Sequence, residues 1–192
     1  MGKILKSDRT RTRILQAAAQ LFAERGYERT TIREISSLAQ IDPAMVMRYF
    51  GNKESLFSKA AHFDLRLPDL RALEKNHVGA ALVGHFLEIW EDEAIDNGFL
   101  ILLRAAASNE GAAATLREIL VKQVLPAVKR IAPGNLASAR AGLIATQMLG
   151  LALGRYVLKL PPVVGLSRIE VVRFIGPTIQ NYVLGKLGTD GA

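Results

Sequence analysis

Apolar residues recur at helical spacing along nearly the whole chain. Ile14, Ala18, Leu21 and Phe22 form one such series, Phe86, Ile89 and Trp90 another, and Leu116, Leu120 and Val124 a third. No stretch alternates with the period of two that marks a strand. Breaks at Gly26, the 40–43 region, Gly51, Pro68, Asn97-Gly98, Gly111, Pro133-Gly134 and Pro161-Pro162 divide the pattern into about nine helices joined by loops of ordinary length. The fold class read from this is all-α.

The first helices carry their own boundary signals. Helix one is expected from about Arg9 to Arg25, with Gly26 supplying the left-handed residue that ends it. Thr31-Ile32-Arg33-Glu34 has the spacing of a capping box, placing a second helix from Thr31 to about Ala39. Asp42 is a good N-cap, and Pro43 fits the first helical position, where its missing N–H costs nothing, so a third helix runs from Pro43 to Phe50. Val46 and Phe50, with Ile32, Ile35, Leu38, Leu21 and Phe22, suffice for a small three-helix core. Pro43, Ala44, Met45, Arg48 and Tyr49 are left facing outward. Two short helices separated by a tight turn and carried by a first helix make the helix-turn-helix pattern, whose second member reads DNA.

Charge strengthens that reading. The net charge is +7, and residues 1–60, with 11 basic and 6 acidic side chains, hold +5 of it. Such asymmetry points to a polyanionic partner, nucleic acid or an anionic membrane surface. Lys3, Lys6, Arg9, Arg11 and Arg13 form a basic arm that either solubilises the chain or follows the DNA backbone or minor groove. The absence of cysteine excludes disulfides, thiolate metal sites and cysteine nucleophiles. With no secretory signal at its start and no uncharged run longer than Ala141–Gly154, the chain is expected in the cytoplasm and outside the membrane.

The run Gly26-Tyr27-Glu28-Arg29-Thr30-Thr31-Ile32-Arg33-Glu34-Ile35, followed by Ala39-Gln40-Ile41-Asp42 and by Arg48-Tyr49-Phe50-Gly51-Asn52-Lys53-Glu54-Ser55-Leu56-Phe57, resembles the TetR-type bacterial transcriptional repressors. The segment from Arg140 to Pro162 resembles the C-terminal domains of actinobacterial members. The resemblance implies a helix-turn-helix head over residues 1–55 and a larger helical ligand-binding and dimerisation domain over 56–192. It also implies a homodimer on a double-stranded DNA operator, and a small-molecule effector. By the same resemblance Thr31 caps helix two and binds a phosphate, Arg33 reaches a phosphate or a base edge, and Tyr49 and Lys53 hold the DNA backbone. The chain departs from the family pattern in three places. Gln40 stands for the usual turn glycine, Met47 for a common backbone-binding tyrosine, and Pro43, Ala44 and Met45 for small polar base readers. Base readout then falls to Arg48, Arg33 and apolar contact with thymine methyls.

Nothing in the larger half signals catalysis. His62, His77 and His85 lack a metal-ligand spacing, and no nucleophile elbow, phosphate loop or dinucleotide fingerprint occurs, so neither a metal nor a cofactor is expected. Glu88, Glu91, Asp92, Glu93 and Asp96 read as a solvated helix face. Phe63, Phe86, Trp90, Phe99, Leu103, Thr146 and Met148 either line an apolar effector pocket, with Asn109 or Gln147 as polar orienters, or fill the core. Residues 137–158 and 168–184 are rich in small and apolar positions, among them Gly142, Ala145, Gly150 and Gly154. Paired with a second copy they make a four-helix interface. The function expected is a ligand-released repressor. The competing readings are a ligand-insensitive regulator, a helical interaction adaptor, and an enzyme built on the C-terminal bundle.

Overall fold

The computed structural model describes residues 6–61, 63–91 and 98–187, and among them it contains helices, turns and loops but no strand. The chain divides into two compact units, Met1–Phe63 with Asp96–Leu116, and Asp64–Ile95 with Arg117–Ala192.

The first unit holds α1 (Lys6–Arg29), α2 (Ile32–Ala39), α3 (Pro43–Phe50), α4 (Lys53–Ala60), α6 (Gly98–Ala105) and the start of α7 (Glu110–Ile119). Ile14, Ala17, Ala18, Leu21 and Phe22 recur on one face of α1 and are all buried, against Ile35, Val46, Phe50, Leu56 and Phe57 from the next three helices. Phe22, Tyr27 and Phe57 form an aromatic trio, with ring centres 5.0 Å apart in the two edge-to-face pairs and 5.9 Å in the stacked one.

Two expectations for this part are corrected, the start of helix one and the inward face of α2. Helix one starts earlier than read, at Lys6, and the break expected at Gly26 is present. Gly26, at φ 78° and ψ 169°, breaks the helical geometry, but helix resumes to Arg29, and the buried Thr30 hydroxyl ties the break by facing the Leu21 and Gly26 carbonyl oxygens at 3.1 and 2.8 Å. Arg9, Arg11 and Arg13 of the basic arm lie in α1 as its expected start implies, Lys6 joins them, and Lys3 falls outside the described residues. Leu38 is 44% exposed, because the inward face of α2 is centred on Ile35, Ser36 and Ala39.

The second unit contains α5 (Val78–Glu91), α8 (Leu125–Lys129), α9 (Ala137–Ala152), the short α10 (Pro161–Val164) and α11 (Arg168–Leu184). Wide π-turns at Leu120–Val124 and Leu153–Val157 connect α7 to α8 and end α9. Leu82, Val83, Leu87, Val128, Ile144, Val171 and Ile179 are central to its core. α5 and α11 approach closely at two glycines. A Cβ on Gly79 would fall on the Gly176 carbonyl oxygen, and one on Gly176 would lie 3.3 Å from Ala80 Cα. Gln180 fixes the crossing, its Oε1 accepting from the Gly79 N–H at 2.8 Å and its Nε2 donating to Lys75 O at 2.7 Å. The small residues noted at 142–154 therefore do not make this crossing. Arg140, almost fully buried, donates to the Tyr182 and Gly185 carbonyl oxygens at 2.9 and 2.8 Å, closing the C-terminal end of α11, where cations are favoured.

Candidate nucleic-acid interface

The α2–turn–α3 pair is built from short local interactions. Thr31 and Glu34 form the full capping box: the Glu34 N–H donates to Thr31 Oγ1 at 3.2 Å, and Glu34 Oε2 accepts from the Thr31 N–H and hydroxyl at 2.9 and 2.8 Å. Arg25 donates to the other Glu34 oxygen at 2.8 Å. Together these hold the Glu34 carboxyl below its ordinary range, with the Thr31 hydroxyl the largest cause.

The turn rests on Gln40, at φ 51° and ψ 49°, a left-handed conformation that glycine adopts more cheaply. Arg13 reaches across from α1 and donates to Ala39 O at 2.6 Å, satisfying the C-terminal end of α2. The place of Arg13 in the basic arm gives no sign of this contact, which spans 26 residues of sequence. Asp42 then caps α3, accepting from the Ala44 N–H at 2.7 Å, ahead of Pro43 at the first position.

On α3, Val46 and Phe50 point inward while Pro43, Ala44, Met47 and Arg48 are exposed, and Met45 and Tyr49 are half-buried. The outward face thus differs from the one expected: Met47 joins it and Met45 and Tyr49 sit at its margins. The Arg48 guanidinium lies 5.9 Å from the Tyr49 ring centre. Asn52 caps α4 by accepting from the Ser55 N–H at 2.7 Å, and Lys53, next in the chain, sets its ammonium 4.2 Å from the Tyr27 ring centre. The Tyr27 hydroxyl is pushed up by burial and then by Glu54 and Glu28. Arg11 and Lys59 flank Phe50 at the end of α3, with their charges 5.8 and 5.6 Å from its ring centre. The basic excess seen in the sequence foreshadowed such a cluster but did not place these two. Thr31 and Arg33 are exposed on α2.

The effector candidates fall into two sets. In the first unit, Phe63 is buried with its ring 5.1 Å from that of Phe99, Leu103 is half-buried, and Asn109 caps α7 by accepting from the Ala112 N–H at 2.9 Å. In the second, Phe86 and Trp90 are half-buried beside Tyr156, and the Trp90 and Tyr156 rings are stacked 4.7 Å apart. Met148 packs on the core, Gln147 is half-buried, and Thr146 is exposed on the outer side of α9, its hydroxyl donating to Gly142 O at 2.9 Å. Glu91 departs from the solvated face expected of it. It accepts from Tyr156 at 2.9 Å and from Arg155 at 3.1 Å, and Arg168 pairs with its other oxygen at 3.4 Å. Burial and this carboxylate push the Tyr156 hydroxyl far up. Glu88 is exposed, and His62, Asp92, Glu93 and Asp96 lie outside the described residues.

Residues 14–60 match the family model described as bacterial regulatory proteins of the tetR family, and residues 76–183 match the tetracyclin repressor-like C-terminal domain. A solved TetR-family regulator from Streptomyces coelicolor A3 is 30% identical, with a TM-score of 0.67 over 95% of this chain and 99% of that one. The HTH-type transcriptional repressor NicS of Pseudomonas putida is 44% identical over 52 residues, 27% of this chain and 24% of NicS. An HTH-type transcriptional repressor of Mycobacterium tuberculosis is 49% identical over 43 residues, 22% of this chain and 23% of that protein. The matched segment thus spans about a quarter of the length of these curated relatives.

Proposed function

Because the chain belongs to the TetR family of bacterial transcriptional regulators, DNA-binding proteins rather than enzymes, we propose that it is a homodimeric repressor that an effector releases from a palindromic operator. The observation that carries this reading is the exposed face of α3, formed by Pro43, Ala44, Met47 and, in its last turn, Arg48, on a helix that follows the capped start of α2 and precedes Lys53 at the start of α4 in the chain. Helix N-termini and a lysine on either side of a groove-reading helix are suited to phosphates, which fix register, while Arg48 reaches base edges. Thr31, Arg33, Tyr49 and Lys53 are assigned to the backbone or nearby bases. Pro43, Ala44 and Met45 are assigned to apolar readout, with Met47 added to them.

DNA binding is assigned to residues 1–55, and effector binding and dimerisation to 56–192. A palindrome needs two recognition helices about 34 Å apart, or a multiple of that, which one chain does not supply. The second copy is assigned to the outer faces of α9 with the π-turn that ends it, which expose Leu143, Gly150 and Leu153, and of α11, which exposes Ile169 and Phe174. The effector is an apolar or amphipathic small molecule meeting the aromatic face of Phe86 and Trp90 or the Phe63–Phe99 group. The site of action is the cytoplasm, where the operator is; no described helix is long and apolar enough to cross a membrane.

The test is a gel shift with the palindrome immediately upstream of the coding region against a scrambled duplex, over a salt series and then with a panel of apolar small molecules. Sequence-selective, salt-sensitive binding that a panel member abolishes is expected. Binding that no compound affects would leave a constitutive regulator, and equal binding to both duplexes would defeat the operator assignment.

A further inference from the structure

The direction in which α3 leaves α2 is set by the residues between them, Gln40, Ile41 and Asp42. Asp42 caps α3 through the Ala44 N–H. On the other side, the Gln40 N–H donates to Ser37 O at 3.1 Å and the Ile41 N–H to Ser36 O at 2.9 Å. These are the two bonds that close a helix on a left-handed residue, so both require Gln40 to keep its φ of 51°. Glutamine holds that conformation at a cost that glycine escapes. If Gln40 returned to negative φ, both bonds would open and α3 would leave α2 in another direction.

Arg13 opposes that change from outside the α2–α3 pair. Its neighbour Ile14 is fully buried in the core of the first unit, so α1 provides a fixed base. Arg13 Nη2 donates to Ala39 O at 2.6 Å and makes a longer contact, 3.4 Å, with Gln40 Oε1. The Ala39 carbonyl belongs to the peptide that enters Gln40, whereas the amide oxygen belongs to the Gln40 side chain. A guanidinium on both restrains the torsion between them, which is φ of Gln40. The same bonds turn the Arg13 charge to the carbonyl end of α2, where a cation is favoured.

We infer that Arg13 is a positioning residue for base recognition. It holds Gln40 left-handed, and through that turn it holds α3 in the direction from which Arg48 reads bases. This takes Arg13 out of the phosphate-following arm, and it rests on the DNA-binding reading above.

The test uses the full chain carrying Arg13→Met, which keeps the apolar stem and removes every donor, Gln40→Gly, or both. Arg13 and Gln40 are exposed, so neither substitution disturbs the core. Hydrogen exchange of the Ile41 amide without DNA reads the turn directly. Arg13→Met should lower its protection about fivefold, the loss of roughly one hydrogen bond, and adding Gln40→Gly should restore it. Duplexes that the wild-type chain enriches from a random pool, each set against a scrambled counterpart, read the consequence for DNA. Arg13→Met should reduce the preference for the enriched duplex about tenfold, equivalent to one lost base contact, and leave the salt dependence on scrambled duplex unchanged. Gln40→Gly alone should keep the preference, and the double variant should recover most of it, because glycine needs no clamp. Weaker binding to both duplexes with a salt slope shallower by about one would make Arg13 a phosphate contact and overturn the inference. So would Ile41 protection that Arg13→Met leaves unchanged, or a double variant that recovers nothing. A wild-type chain that enriches no sequence, while Ile41 protection still depends on Arg13, would instead overturn the DNA-binding reading, and with it the recognition role that rests on it.

Discussion

The Lys53 ammonium lies 4.2 Å from the centre of the Tyr27 ring, joining the first residue of α4 to the residue that follows the break in α1. The ring quadrupole attracts the cation and limits its side-chain freedom without consuming its hydrogen-bond donors. A lysine held this way at a helix N-terminus is prepared for a phosphate.

Lys53→Ala should therefore weaken operator and scrambled DNA by similar factors and reduce the slope of log affinity against log salt by about one, because a phosphate contact carries no sequence information. Tyr27→Leu should give a milder version of the same change, since the charge remains but its placement is lost. Titrations over a salt series check both. A change confined to the operator would reassign Lys53 to base readout.

Arg48 is exposed on α3 and is suited to a bidentate contact with guanine. Arg48→Ala should cost about 1–3 kcal/mol on the operator and relax preference at one base pair in each half-site. Binding to a set of single-base operator variants locates that pair. Met47→Ala should show a smaller loss, concentrated at a thymine, if its side chain meets a methyl group.

The helix-turn-helix head was legible because its determinants are local. Thr31 with Glu34, and Asp42 with Pro43, specify helix starts within four residues of sequence, and the structure realises each. What escaped were interactions between residues far apart in sequence. Arg13 reaches Ala39 from 26 residues away, Gln180 bonds Gly79 across 101, and Glu91 is claimed by Arg155 across 64. A period of 3.6 says which face of a helix is apolar, but not which other helix meets it. The exposure of Leu38 shows a nearer limit: on an eight-residue helix a single misjudged apolar position shifts the inferred inward face by most of its width.

The glycines of α9, of the π-turn that ends it and of α5 separate assembly from folding. Gly150 is exposed, and a Cβ there meets nothing within 4 Å, whereas Gly154 is buried. If the proposed dimer uses this face, Gly150→Glu should convert it to monomer and lower the denaturation midpoint only to that of the dissociated wild type at high dilution, as exposed substitutions are otherwise close to neutral. Gly154→Glu should destabilise the chain itself by burying a charge. Gly79→Ala should also destabilise, by about 1–3 kcal/mol or more, since the obstacle is backbone of α11 rather than a movable side chain. Sedimentation with urea unfolding distinguishes these outcomes, and a Gly150→Glu chain that still sediments as a dimer would move the interface away from this face of α9.

The last prediction concerns acid. Glu34 is held below its ordinary value of 4.5 by the Thr31 hydroxyl, the Thr31 N–H and Arg25, and Asp69 is brought down to about 2 by Arg71. A carboxyl whose folded-state value is depressed binds fewer protons when folded than when unfolded. Its contribution to stability is thus fully present above the ordinary value and is lost as pH falls through the lower, folded one. Urea unfolding from neutral pH down to about 2 should show stability falling in that window. Glu34→Gln can still accept from the Thr31 N–H but cannot titrate, and it gives up the charged partner of Arg25. The variant should therefore be less stable than the wild type at neutral pH, and the gap should close as the wild-type carboxylate is protonated. The same change should loosen the start of α2 and weaken DNA binding through Arg33 without altering base preference at Arg48. Curves for wild type and variant that remain parallel across the acid range would show that the capping box does not depend on the charge of Glu34.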